Sequence, residues 1–89
     1  MISVSEANIQ YIVKTRIRTN MPGEDITVQD KTGNIVLSLV NQDPQYVYKL
    51  IGNNLILDIG TSAGQRILAI YDIPSQTKIF ESDYYPGKK

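Results

Sequence analysis

Asn8-Ile9-Gln10-Tyr11-Ile12-Val13-Lys14-Thr15-Arg16-Ile17-Arg18 decides the fold class, because its residues alternate in kind from one to the next. Ile9, Tyr11, Val13, Thr15 and Ile17 fall on one side of a two-residue period, and Gln10, Ile12, Lys14, Arg16 and Arg18 on the other. β-Branched residues dominate the run, so residues 8–18 read as a half-buried strand. Just upstream, Ser3-Val4-Ser5-Glu6 has the spacing of a helix capping box, which leaves room for a short N-terminal turn of helix.

Working outward, turn chemistry divides the chain into further strands at roughly ten-residue spacing. Asp30-Lys31-Thr32-Gly33 joins residues 26–29 to residues 34–40 as a hairpin, with Asp opening the turn and Gly closing it. Residues 46–51 and 55–59 form a second hairpin across Gly52-Asn53-Asn54. Residues 66–72 and 78–84 complete a set of seven strands, with no helix of ordinary length. The expected fold is all-β: a small antiparallel sandwich or open barrel built from hairpins, with residues 1–89 as one domain. Its first strand is a candidate edge.

A faint repeat runs through this pattern. Ile26-Thr27-Val28-Gln29-Asp30 with Ile35 beyond it parallels Leu68-Ala69-Ile70-Tyr71-Asp72 with Ile79 beyond it, the two aspartates standing 42 positions apart. That period is in the range of propeller blades, each a four-stranded unit. Two blades do not close a ring, so a propeller would require a longer parent chain or an oligomer. Two similar hairpins facing each other in a sandwich account for the repeat more simply.

Composition narrows the functional classes. The 89 residues are 42% apolar and 20% charged, the make-up of a chain that folds around one modest core. Nine basic residues balance nine acidic ones, so no global field draws the protein to nucleic acid or an anionic membrane. No stretch approaches the ~20 apolar residues of a membrane span, and the N-terminus lacks a signal-peptide pattern. Cys and His are both absent, which removes thiolate nucleophiles, imidazole bases and zinc sites of the Cys/His type. No cofactor or metal is expected, no enzymatic activity is expected, and composition assigns no compartment.

Four groups of residues remain as candidates. Lys14, Arg16 and Arg18 make a basic stripe about 14 Å long at strand rise, suited to an acidic partner or to a solvated strand face. Six tyrosines are many for so short a chain. Tyr46 and Tyr48 share a face, and Tyr84 and Tyr85 point oppositely; core packing is the first expectation for such rings, and a recognition surface the second. Asp58 and Asp72 are the carboxylates that one hairpin end could bring together, although each also suits a strand end or a turn.

The fourth group lies in Leu55-Ile56-Leu57-Asp58-Ile59-Gly60-Thr61, continuing to Arg66 and Asp72. This stretch resembles the first phosphate-binding hairpin of the actin, heat-shock chaperone and sugar-kinase superfamily, in which a strand ends in Asp-x-Gly-Thr. The resemblance covers about a fifth of the chain. It implies Asp58 near a metal, Gly60 letting the backbone approach phosphate, Thr61 offering a hydroxyl and an amide, and Arg66 at a position often basic or polar. A nucleotide-binding fragment is therefore one alternative reading, and a structural subunit of a β-repeat oligomer another. Since only residues 78–89 follow the last turn, the family's covering helices and second domain have no sequence here to form them, and 60–65 also reads simply as a glycine-bearing hairpin loop. The leading expectation is a small binding module that meets another protein, or itself, through a sheet edge or a tyrosine-bearing face.

The alternation carries a direct spectroscopic consequence. Far-UV circular dichroism will be β-dominated, and a helix content above about a third, the ordinary globular level, would contradict the assignment.

Overall fold

Alternating apolar residues make strands that are hydrophobic on one side, and such strands must stack to hide that side. In the computed structural model, which describes residues 2–61 and 64–84, eight antiparallel strands do so in two four-stranded sheets. The first sheet is a meander of β1 (Ile2–Ala7), β2 (Tyr11–Ile17), β3 (Glu24–Asp30) and β4 (Ile35–Leu39). The second is a meander of β5 (Gln45–Ile51), β6 (Asn54–Ile59), β7 (Arg66–Asp72) and β8 (Thr77–Tyr84). The all-β expectation holds, with one more strand than the sequence pattern suggested.

The extra strand comes from the N-terminus. Ser3 to Glu6 forms no helical turn; it lies in β1, paired with β2 from Ile2↔Arg16 to Ala7↔Ile12. The Glu6 carboxylate, instead of reaching back to a cap, accepts from the Leu50 amide at 3.3 Å. The long run 8–18 is correspondingly shorter as a strand, because Asn8 starts a turn. Its side-chain oxygen accepts from the amides of Gln10 and Tyr11 at 2.8 Å each, an Asx turn that reverses the chain. β2 is thus an inner strand, and the expected edge at this position belongs to β1.

The Asp30 hairpin forms as the turn chemistry requires. Asp30 Oδ1 accepts from the Thr32 amide at 2.9 Å, the Thr32 hydroxyl at 2.7 Å and the Asn34 amide at 3.0 Å. Gly33 closes the reversal at φ +92°, a conformation strained for any residue with a Cβ.

Stacking produces one continuous core. Val13, Ile26, Val28, Leu37 and Leu39 from the first sheet meet Leu50, Leu55, Leu57 and Ala69 from the second, with Ile73 beneath the turn after β7. β5 is the strand of the second sheet that lies against β1 and β3.

The connector between the sheets, residues 40–44, is fastened chiefly by Arg18. Its guanidinium donates to the carbonyls of Pro22, Glu24, Asn41 and Asp43 and pairs with Asp25 at 3.0 Å. Gln45, fully buried, donates its side-chain amide to the carbonyls of Glu24 and Leu39. Gly23 lets the connector pass, since a Cβ there would lie 2.8 Å from the Gln45 nitrogen.

With its side chain only 6% exposed, Arg18 satisfies four carbonyls and one carboxylate at once. Arg18→Ala is expected to lower the unfolding free energy by about 2–4 kcal/mol in chemical denaturation. Arg16→Ala, at an exposed position, will change it by no more than about 0.5 kcal/mol.

Candidate functional site

The two sheets are register-for-register repeats of each other. Adding 43 to each residue of β1 and β2 turns the pairs Ile2↔Arg16, Val4↔Lys14 and Glu6↔Val13 into Gln45↔Ile59, Val47↔Leu57 and Lys49↔Ile56, which are the pairs of β5 with β6. An offset of 42 on β3 and 43 on β4 likewise converts Ile26↔Leu39 and Gln29↔Ile35 into Leu68↔Ser82 and Tyr71↔Lys78. Asp30 and Asp72 hold equivalent places at the ends of the third strands. The bulges repeat too. An unpaired residue interrupts each outer strand, at Ser5 in β1 and Val36 in β4, and at the equivalent Tyr48 in β5 and Ile79 in β8.

Each sheet therefore has a front face, carrying Val13, Ile26 and Val28 or their equivalents Ile56, Leu68 and Ile70. Each also has a back face, carrying Lys14 and Thr27 or their equivalents Leu57 and Ala69. The first sheet buries its front and the second its back. The repeat thus extends from hairpins to whole four-stranded sheets, which face each other front to back in the sandwich. Two unlike faces remain open.

The open back of the first sheet carries Lys14 and Arg16, while Ile2, Val4, Ile35 and Val40 stand exposed on its outer strands and at their ends. Asp25 stands directly across from Arg16. Arg18 does not extend this stripe, since it leaves the sheet after β2 and turns into the connector. The three-residue stripe is thus reduced to two basic residues beside a carboxylate.

The open front of the second sheet gathers most of the remaining candidates. Asp58, between Tyr46 on β5 and Leu68 on β7, accepts from Arg66 Nε at 2.8 Å. The Arg66 guanidinium lies over the Tyr46 ring, 5.8 Å from its centroid, a cation–π contact. Tyr84 stands opposite Arg66 across β7 and β8, and its hydroxyl feels the Asp58 carboxylate. Tyr48 lies within electrostatic reach of Tyr84. At 65% exposure Tyr48 is not a core ring, because the bulge lifts it out of the strand's alternation. Beside this polar cluster run Ile56, Leu68, Ile70 and Phe80, the last 49% exposed. Tyr85 and the loop residues 62–63 lie outside the described residues.

The Asp58-Ile59-Gly60-Thr61 hairpin is committed to internal contacts. The Gly60 amide donates to the Pro44 carbonyl at 2.8 Å, and Asp58 is held by Arg66. Thr61 is exposed beyond the end of β6. Asp58 and Asp72 do not meet. Asp72 pairs with Asn54 at the far end of β6, about 13 Å along the strand from Asp58, and Asp72 accepts instead from the Ser75 amide and hydroxyl. Tyr84 was visible only as one of several tyrosines; nothing in its spacing announced its tie to Asp58, which depends on the register of β8.

Among the described residues no helix is long and apolar enough to cross a membrane. No family model, curated protein or solved structure matches the chain.

Burial and the nearby Asp58 carboxylate together raise the Tyr84 pKa above its ordinary value of 10.0. A raised acid pKa means that the stabilisation from the neutral hydroxyl is complete below pH 10.0 and is lost as pH climbs through the elevated folded-state value. An ultraviolet titration of tyrosinate will show one late-ionising ring that disappears in Tyr84→Phe and moves to lower pH in Asp58→Asn. An unchanged late transition in both variants would contradict the assignment.

Proposed function

We infer that the chain is a small non-catalytic interaction module that binds another protein through the open front face of its second sheet. The observation carrying this reading is the grouping there of Tyr46, Arg66 and Tyr84 about the Asp58 carboxylate, with the exposed Tyr48 on the bulge of β5 and Ile70 and Phe80 beside them. Tyrosine and arginine dominate the energetics of protein interfaces, where a fixed ring or guanidinium loses little entropy on binding. The Asp58 pair with Arg66 and the Tyr46 contact hold the guanidinium in place before any partner arrives, which lowers the ordering cost of association.

The face is favoured over the edges by the bulges. All four outer strands, β1, β4, β5 and β8, are interrupted by an unpaired residue, a feature that breaks the regular ladder an incoming strand needs. The exposed pair of Lys78 with Glu81, at 2.7 Å, adds charge along β8.

Affinity capture from cells of the source organism, compared between wild type and variants, tests this reading. Tyr48→Ala and Phe80→Ala are expected to fold with stability within about 1 kcal/mol of wild type, yet to lose at least about tenfold in affinity for the captured protein. Lys31→Ala, in the β3–β4 turn, will bind normally. Equal capture by all three variants would refute the face as the binding surface.

A further inference from the structure

We propose that the open front face of the second sheet is covered by the open back face of the first sheet of another copy of this chain, so that copies join front to back. This rests on the reading of that face as an interaction surface and names its partner.

The internal repeat identifies this partner. Position for position, Ile56, Leu68, Ile70 and Phe80 are the equivalents of Val13, Ile26, Val28 and Leu37. In the first sheet those four residues are core, and the molecule itself supplies what covers them: the back face of the next repeat, with Leu55, Leu57 and Ala69. The second sheet keeps large apolar residues at all four places, with no third repeat among the described residues to cover them. A surface that faced only water would have no need of that set.

The complementary surface is also present. The open back of the first sheet is the equivalent of the back that performs this covering inside the molecule. Ile2, Val4 and Ile12 correspond to Gln45, Val47 and Leu55, and Ile35 and Val40 continue the exposed apolar border. Lys14 and Arg16 replace Leu57 and Ile59. Their aliphatic stems can lie along the apolar row of the partner while their head groups reach the tyrosine hydroxyls and the Asp58 carboxylate. The joint is thereby wetter than the internal one, as suits an interface that forms after folding.

A front-to-back joint is heterologous: each copy gives a different face, and repetition either closes a ring or continues as a filament. Four-stranded meanders stacked in this way are the units of closed rings of four to eight blades. Two to four copies of a two-sheet chain supply that number.

Complementation of two single-face variants distinguishes this joint from any other. Phe80→Asp places a charge on the front face, and Val4→Asp, at a position 61% exposed, places one on the back face. Both should retain the wild-type circular dichroism and unfold cooperatively, at a melting temperature that no longer rises with protein concentration. Native mass spectrometry and light scattering are expected to show a discrete wild-type oligomer of two to four copies, each variant alone as a monomer, and an equimolar mixture as a heterodimer joined through its one intact pair of faces. A monomeric wild type would overturn the proposal. So would an oligomer lost in Phe80→Asp, kept in Val4→Asp and not restored by mixing, since that pattern marks a symmetric front-to-front joint. If the wild type is monomeric while captured protein is still lost in Tyr48→Ala, self-association alone fails. If the wild type is monomeric and capture is unchanged, the interaction face fails with it.

Discussion

The core in which Leu55 and Leu57 of the second sheet cluster with Val13, Ile26 and Val28 of the first is what the remaining structure depends on. Neither four-stranded meander could hide its apolar side alone, so each is ordered by the other. The contact also decides which faces stay open. Because it joins the front of one repeat to the back of the next, the solvent-facing surfaces cannot be alike. One is a basic face bordered by apolar residues, and the other is a tyrosine-rich face with an apolar row. A symmetric sandwich of the same two sheets would have had two equivalent outer faces.

The connector explains why the chain stacks in this direction. Only four residues separate the end of β4 from Pro44; Arg18 holds the carbonyls of Asn41 and Asp43, the Gln45 backbone amide also donates to Asp43, and the Gly60 amide holds Pro44. Gly23 gives the room that this short path needs. Across the stack, Gln76 donates to the Val36 carbonyl at 2.7 Å, tying the last turn of the second sheet to the outer strand of the first. These polar ties lie around the core margin, where they orient the sheets, while apolar burial supplies the main driving force.

Alternation and turn chemistry made most of the fold visible in the sequence. The hairpins at Asp30 and Gly52 formed where glycine and aspartate placed them, and the distance between Asp30 and Asp72 already carried the repeat. The N-terminus was harder. Ser3 and Glu6 satisfy both a capping box and a two-residue period, and pairing with β2 settles the competition in favour of strand. Asn8 concealed a turn within an otherwise regular run, because its effect acts through side-chain bonds to Gln10 and Tyr11. The candidate site was visible only in pieces. Tyr46, Tyr48, Asp58 and Arg66 stood out separately for different chemical reasons, and only the register of β5 to β8 brings them to one face together with Tyr84. Arg18 looked like the third member of a stripe, but strand β2 ends before it, and the connector carbonyls capture its guanidinium.

The front-to-back stack is tested most directly by methyl nuclear Overhauser effects in the selectively labelled protein. Cross-peaks are expected to link Val13, Ile26 and Val28 to Leu55 and Leu57, with none from those three residues to Ile56 or Ile70. Cross-peaks from Val13 or Val28 to Ile56 and Ile70, persisting at high dilution, would mean that the two fronts face each other within the chain and would contradict the stack.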